Sequence, residues 1–125
     1  MSSFNLANYR WKNRLLLVFA PSKQNSAYQA QMQLFDQQEG HFINRDLMLV
    51  EVFTVGESCA NGESLDNKSA AQLREHFKVG NDEFCAILIG KDGGEKRRDT
   101  VPVQLETITS QIDTMPMRQQ EMDRS

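Results

Sequence analysis

Leu15-Leu16-Leu17-Val18-Phe19-Ala20, bounded by Arg14 and Pro21, is the stretch on which the fold turns. These six residues are apolar without alternation. A run this short and this uniform predicts a central strand buried on both faces, as in parallel sheets. It is too short for the apolar region of a signal peptide, and a membrane helix needs about 20 apolar residues. The opening therefore predicts a cytoplasmic chain with no membrane partner.

Downstream, Ser22 to Gln38 has no Gly or Pro and places Ala27, Tyr28, Met32, Leu34 and Phe35 along a helix. Ser26 and Gln29 have capping-box spacing, and Gly40 lies where a left-handed C-cap would close that helix. Leu47 to Val55 predicts a second strand, interrupted by one charge, Glu51. Strand, helix and strand in this compass make a βαβ unit with parallel strands. Gly56 to Lys68 is polar and predicts a loop. A second helix follows, capped by Asp66 or Ser69, with Ala70, Leu73 and Phe77 on one face and Gly80 at its close. Phe84 to Ile89 is a third apolar strand. Asp-Gly chemistry in Gly90 to Gly94 predicts that Glu95 to Arg98 returns antiparallel. Pro102 suits the first turn of a last helix, whose stripe is Leu105, Ile108, Ile112 and Met115, with Pro116 at its end. The polarity of Met117 to Ser125 predicts a segment that frays or extends as a loosely held helix.

The 125 residues predict a single domain, 1–125, with a core of about 15–115 and a short tail, 116–125. Hydrophobic residues make up 39% and charged residues 25%, a globular composition. At this length roughly two-thirds of the unfolded surface can be buried. Fourteen cations against seventeen acids leave a net charge of −3, which does not point to a nucleic-acid partner. Two cysteines make no disulfide framework, and two histidines, His41 and His76, lack metal-ligand spacing. No metal and no cofactor are expected.

The order β-α-β-α-β-β-α is the thioredoxin arrangement: an α/β, thioredoxin-like fold with a mixed four-stranded sheet and helices on both faces. The motifs LLLVFAP (Leu15–Pro21), ILIGKDGG (Ile87–Gly94) and IDTMPMRQQEM (Ile112–Met122) resemble a thioredoxin-like domain of unknown function, family four-one-seven-four. This is the DUDES domain of sushi-repeat and matrix-associated proteins, distantly peroxiredoxin-like. The MPMRQQEM ending is the most specific element, and the resemblance implies no activity.

Departures from working thioredoxins are more informative. Their Cys-x-x-Cys sits at the first helix N-terminus, where the helix end lowers the thiol pKa. Here Lys23 and Ser26 take those places, and no cysteine lies between Pro21 and Phe42 to serve as a peroxidatic thiol. The buried acid of thioredoxins falls on Leu17, and their cis-proline falls at or near Cys85.

Cys59 is placed in an exposed loop, with no Lys, Arg or His within eight residues along the chain and with Glu57 and Glu63 nearby. It reads as an ordinary loop cysteine or as a functional thiol. Cys85 reads as a small buried hydrophobe within a strand. Glu51 is an acid–base candidate or a carboxylate paired with Lys or Arg near a sheet end. Lys23, Gln24, Asn25 and Ser26 open the first helix, where free N–H groups and a lysine can bind an anion or peptide end; the alternative is a capped helix with a solvated lysine. Lys91, Lys96, Arg97 and Arg98, interleaved with acids, read as a solvated hairpin edge. Met115, Met117 and Met122 read as a docked tail or a Met-rich binding surface.

The resulting expectation is a non-catalytic interaction module for a protein or peptide partner, with Lys23, Gln24, Asn25 and Ser26 as ligand-binding residues. Its ligand would dock where the loops Pro21–Ser26 and Gly56–Asn61 meet the turn before Phe84. The alternative is a weak or atypical thiol oxidoreductase using Cys59, with no other catalytic residue.

Overall fold

The computed structural model describes residues 5–123. Strand β1 (Arg14–Ala20) is buried at all seven positions, as an unbroken apolar run requires. It pairs in parallel with β2 (Leu47–Phe53), from Arg14 opposite Leu47 to Ala20 opposite Phe53. On its other side it pairs antiparallel with the strand Cys85–Ile89, from Leu15 opposite Ile89 to Phe19 opposite Cys85. That strand in turn pairs antiparallel with Glu95–Asp99, as the Asp-Gly turn predicts.

The sheet has six strands rather than four. The supposed loop after β2 folds into a two-stranded hairpin, β3 (Cys59–Ala60) and β4 (Glu63–Ser64), added beside β2. Asn61 and Gly62 make its turn with φ of 51° and 85°, the left-handed pair that a two-residue hairpin needs and that Asn-Gly supplies. Each new strand is two residues long, too short for an alternating pattern to register. Numbering the two remaining antiparallel strands β5 (Cys85–Ile89) and β6 (Glu95–Asp99), the order across the sheet is β4-β3-β2-β1-β5-β6, with β6 at the edge.

Alternation along β1 divides the core. Leu15, Leu17 and Phe19 pack against Ala70, Leu73 and Phe77 of α3 (Asn67–Phe77). Leu16, Val18 and Ala20 face Phe35 of α1 (Ser26–Phe35) and Leu105, Ile108 and Ile112 of α4 (Leu105–Asp113). Asp66, not Ser69, caps α3, accepting from the Ser69 N–H at 2.9 Å. That helix closes at Lys78 (φ 58°), two residues before Gly80. Asn25 caps α1 by accepting the Tyr28 N–H at 2.9 Å, so Ser26 is the first helical residue and forms no capping box with Gln29. Helix α1 stops at Phe35, and a separate short helix, α2 (Glu39–Asn44), takes Gly40 into its first turn; the left-handed residue is Gln37 (φ 61°). Gln31, 0% exposed, bonds both the carbonyl (2.8 Å) and the N–H (2.9 Å) of Val103, tying α1 to the segment before α4.

The polar ending is not a loosely held tail. Helix α4 ends before Pro116, which opens a further helix, α5 (Pro116–Asp123), held by buried ion pairs. Glu121 of α5 receives both Nη atoms of Arg14 at 3.2 Å and Lys91 Nζ at 2.6 Å. Lys91 also reaches Asp46 at 2.9 Å, while Arg118 and Arg45 share Asp113. Arg14 is 1% exposed and Lys91 9%, so this lysine is buried and is no part of a solvated hairpin edge. A buried charge is tolerable only when paired, and the GKDGG turn and the MPMRQQEM ending supply each other's counter-charges.

Candidate functional site

Leu47, Leu49 and Glu51 alternate on the α1 side of β2, the same side as Leu16 and Val18 of β1. The β3 hairpin sets Cys59 directly opposite Glu51. The Cys59 thiol donates to Glu51 Oε2 at 3.3 Å. Tyr28 comes down from α1, its ring edge-on to Phe53 at 4.9 Å, and its hydroxyl lies within the field of the Glu51 charge. Glu51 is thus half-buried and hydrogen-bonded by a thiol, with no Lys or Arg in ion-pair contact among the described residues.

These contacts decide what Cys59 can do. Burial first, then the charge of Glu51 and the hydrogen bond to it, push the thiol up to about 11. The Lys23 charge and a backbone contact from Gly62 act in the opposite sense without overcoming them. At pH 7 about one molecule in ten thousand then carries the thiolate, the only nucleophilic form. The Tyr28 hydroxyl is pushed up by burial and by Glu51 in the same way.

Beside this cluster runs a groove of about 460 Å³ between α1–α2 and the outer face of β2–β3. Its apolar lining includes Met32, Phe42, Ile43 and Leu49, and Glu51 and Cys59 stand in its wall. Ile43 is 76% exposed, a large apolar side chain left outward on a short helix. The Phe35 and Phe42 rings meet edge to face at 5.4 Å and fix α2 against α1.

The residues expected to form the site are only partly brought together. Lys23 lies 5.9 Å from the Phe53 ring centroid and its charge reaches Cys59, so it borders the groove at that end. Gln24 and Ser26 are exposed, and the Asn25 side chain is spent on its cap. The loops at the strand ends do meet, but they consume one another's backbone: Val55 N–H donates to the Pro21 carbonyl at 2.9 Å, and the Thr54 hydroxyl to the Asn81 carbonyl at 2.7 Å. The open concavity lies one strand further out than the sequence suggested.

Cys59 is on a strand and half-buried, not in an exposed loop. Cys85 is buried on the α3 side, with two strands between it and Cys59. Three strand spacings come to about 14 Å, twice what a disulfide spans. Lys96 pairs with Asp92, Arg97 with Asp99 and Arg98 with Glu95, so the rest of the basic cluster is neutralised within its own hairpin. His41 contacts Arg45 on α2, and His76 packs on Phe77 of α3. Among the described residues no group of His, Cys, Asp and Glu could hold a metal ion. Sequence reasoning missed Tyr28, Phe42 and Ile43 as site residues. The available signals were Asn61-Gly62, which moves Cys59 onto a strand, and the apolar pair Phe42-Ile43 after Gly40.

The family model for the domain of unknown function DUF4174 matches residues 5–121, and the chain belongs to that family. Zebrafish (Danio rerio) coiled-coil domain-containing protein 80 is 26% identical over 94% of this chain and 15% of its own length. Human sushi repeat-containing protein SRPX is 29% identical over 89% of this chain and 25% of its own length. The chain thus spans a quarter or less of these relatives. Among solved structures it resembles the reduced 2-Cys peroxiredoxin of Plasmodium vivax, with a TM-score of 0.71, 14% identity, and coverage of 94% of this chain and 85% of that one. The pneumococcal exposed lipoprotein thioredoxin of Streptococcus pneumoniae gives 0.62 and 15%, over 90% and 91%. At such identity the likeness establishes the thioredoxin-like fold and nothing about chemistry.

Proposed function

We propose that this chain is a non-catalytic thioredoxin-like binding module that takes a peptide segment in the groove between α1–α2 and β2–β3. The observation that carries the reading is the groove itself: about 460 Å³, apolar, flanked by the exposed Ile43. Concave apolar sites with a few polar groups at one end are where ligands are held. Lys23, outside the lining beyond the Glu51 end, with Gln24, Asn25 and Ser26 behind it, is the proposed second contact, for a carboxylate of the segment past its groove-bound residues. The oxidoreductase alternative is disfavoured because burial, and then Glu51, favour the protonated thiol of Cys59, whereas exchange needs an attacking thiolate.

The test is selection of peptides from a random display library on the full chain, followed by Ile43→Asp. Selected peptides should lose binding to Ile43→Asp while far-ultraviolet circular dichroism is unchanged. Peptides that bind this variant undiminished would place the working surface elsewhere. Peroxide or disulfide turnover abolished by Cys59→Ser would instead favour the oxidoreductase.

A further inference from the structure

The charges around the groove specify its occupant. Helix α1 begins over the Phe53 end of β2, where Tyr28 meets Phe53, and ends at Phe35 beside Leu47. Asp36 and Glu39, which follow Phe35, therefore stand at the Leu47 end of the groove, and Glu51 stands at the other. Every charged residue in the lining is an acid, and none of the three makes an ion pair with a cation among the described residues. The Lys23 charge reaches Cys59, but Lys23 rests on Phe53 and is outside the lining. Between the two acidic ends the surface is apolar: Leu49 on the sheet, Met32 and Ile43 on the helices.

Leu47 to Glu51 spans four residue steps of one strand, about 13 Å. An extended peptide rises by the same amount over five residues, and its first, third and fifth side chains point the same way. We infer that the groove takes an extended segment of the pattern basic-x-apolar-x-basic, its central side chain on Leu49 and its Lys or Arg flanks at Glu51 and at Asp36–Glu39. This rests on the groove being the binding site. It adds the charge and spacing of the partner, which the fold alone does not specify. Acid-lined ends with an apolar centre discriminate by charge complementarity, and like-charged flanks would be repelled.

The probes are fluorescein-labelled peptides containing Lys-Ser-Phe-Ser-Lys, Glu-Ser-Phe-Ser-Glu and Lys-Ser-Gly-Ser-Lys, titrated against the full chain by polarisation and by backbone amide shifts. The Lys-flanked Phe peptide should shift Ile43, Leu49 and Asn61, and bind about tenfold more tightly than either control. Raising sodium chloride from about 50 to about 300 mM should weaken it several-fold. Asp36→Lys with Glu39→Lys, both exposed positions, should weaken it about fivefold without altering the dichroism spectrum. Equal affinity of the Lys- and Glu-flanked peptides, with groove amides shifted by both, would overturn the charge pattern and leave the groove as the site. Shifts confined to residues outside the groove would overturn both readings. No shift from any peptide at about 1 mM would overturn the pattern, and the display selection would then judge the groove independently.

Discussion

Replacing Glu121 by alanine removes the acid that answers two buried cations. Arg14 presents both Nη atoms to it and Lys91 its Nζ, and their side chains are 1% and 8% exposed. Removing one partner of a buried pair typically costs about 3–5 kcal/mol, because the remaining charge cannot be rehydrated. Domains of this size have roughly 5–15 kcal/mol in total, so the loss is a large fraction. At about 3–5 °C per kcal/mol, the melting temperature should fall by roughly 10–25 °C. Glu121→Gln keeps an acceptor oxygen and should cost less, about 1–3 kcal/mol. Truncation after Gln119 removes the same carboxylate and should cost at least as much as Glu121→Ala, against the expectation from polarity that the ending is loosely held. Urea unfolding followed by circular dichroism measures all three.

Acid provides a second readout. Burial opposes the charge on Glu121, but hydrogen bonds from Lys91 and Arg14 and their charges outweigh it and hold the carboxyl below the usual glutamate range. Hydrogen bonds from Arg45, then from Arg118, hold Asp113 low as well. A group depressed on folding contributes stability that is complete above its unfolded pKa, about 4, and is lost as pH falls through the folded value. Stability should therefore decline below about pH 5, and Glu121→Gln should flatten that slope. A loss under about 1 kcal/mol for Glu121→Ala, with the acid slope intact, would refute the reasoning.

Two further outcomes follow from buried polar contacts. Alkylation of native protein at pH 7.5 should label Cys59 slowly and Cys85 only on unfolding, and Glu51→Gln should accelerate Cys59 several-fold by removing the charge that raises its pKa; an unchanged or slower rate would show that Glu51 does not govern the thiol. Gln31→Leu strands the N–H and carbonyl of Val103 in the core and should cost about 2–4 kcal/mol in urea unfolding, whereas a neutral result would mean that water replaces the glutamine.

The central strands β1 and β5 were legible because their signal is local: uninterrupted apolar runs at Leu15–Ala20 and in Phe84–Ile89 have no stable place except between covered faces. The stripe Leu105, Ile108 and Ile112 was legible for the same reason, since period and burial coincide on a helix. The absent Cys-x-x-Cys needed no coordinates. What escaped the sequence depended on partners far away in the chain. Polarity made Arg118 and Glu121 look like surface, yet they are placed by Arg14, Asn44 and Lys91, whose nearness only the closed sheet creates. Cys59 looked like a loop thiol because a two-residue strand carries no pattern of its own. Tertiary pairing half-buried it against Glu51, a juxtaposition no reading along the chain supplies, and burial first and that carboxylate second keep its proton on.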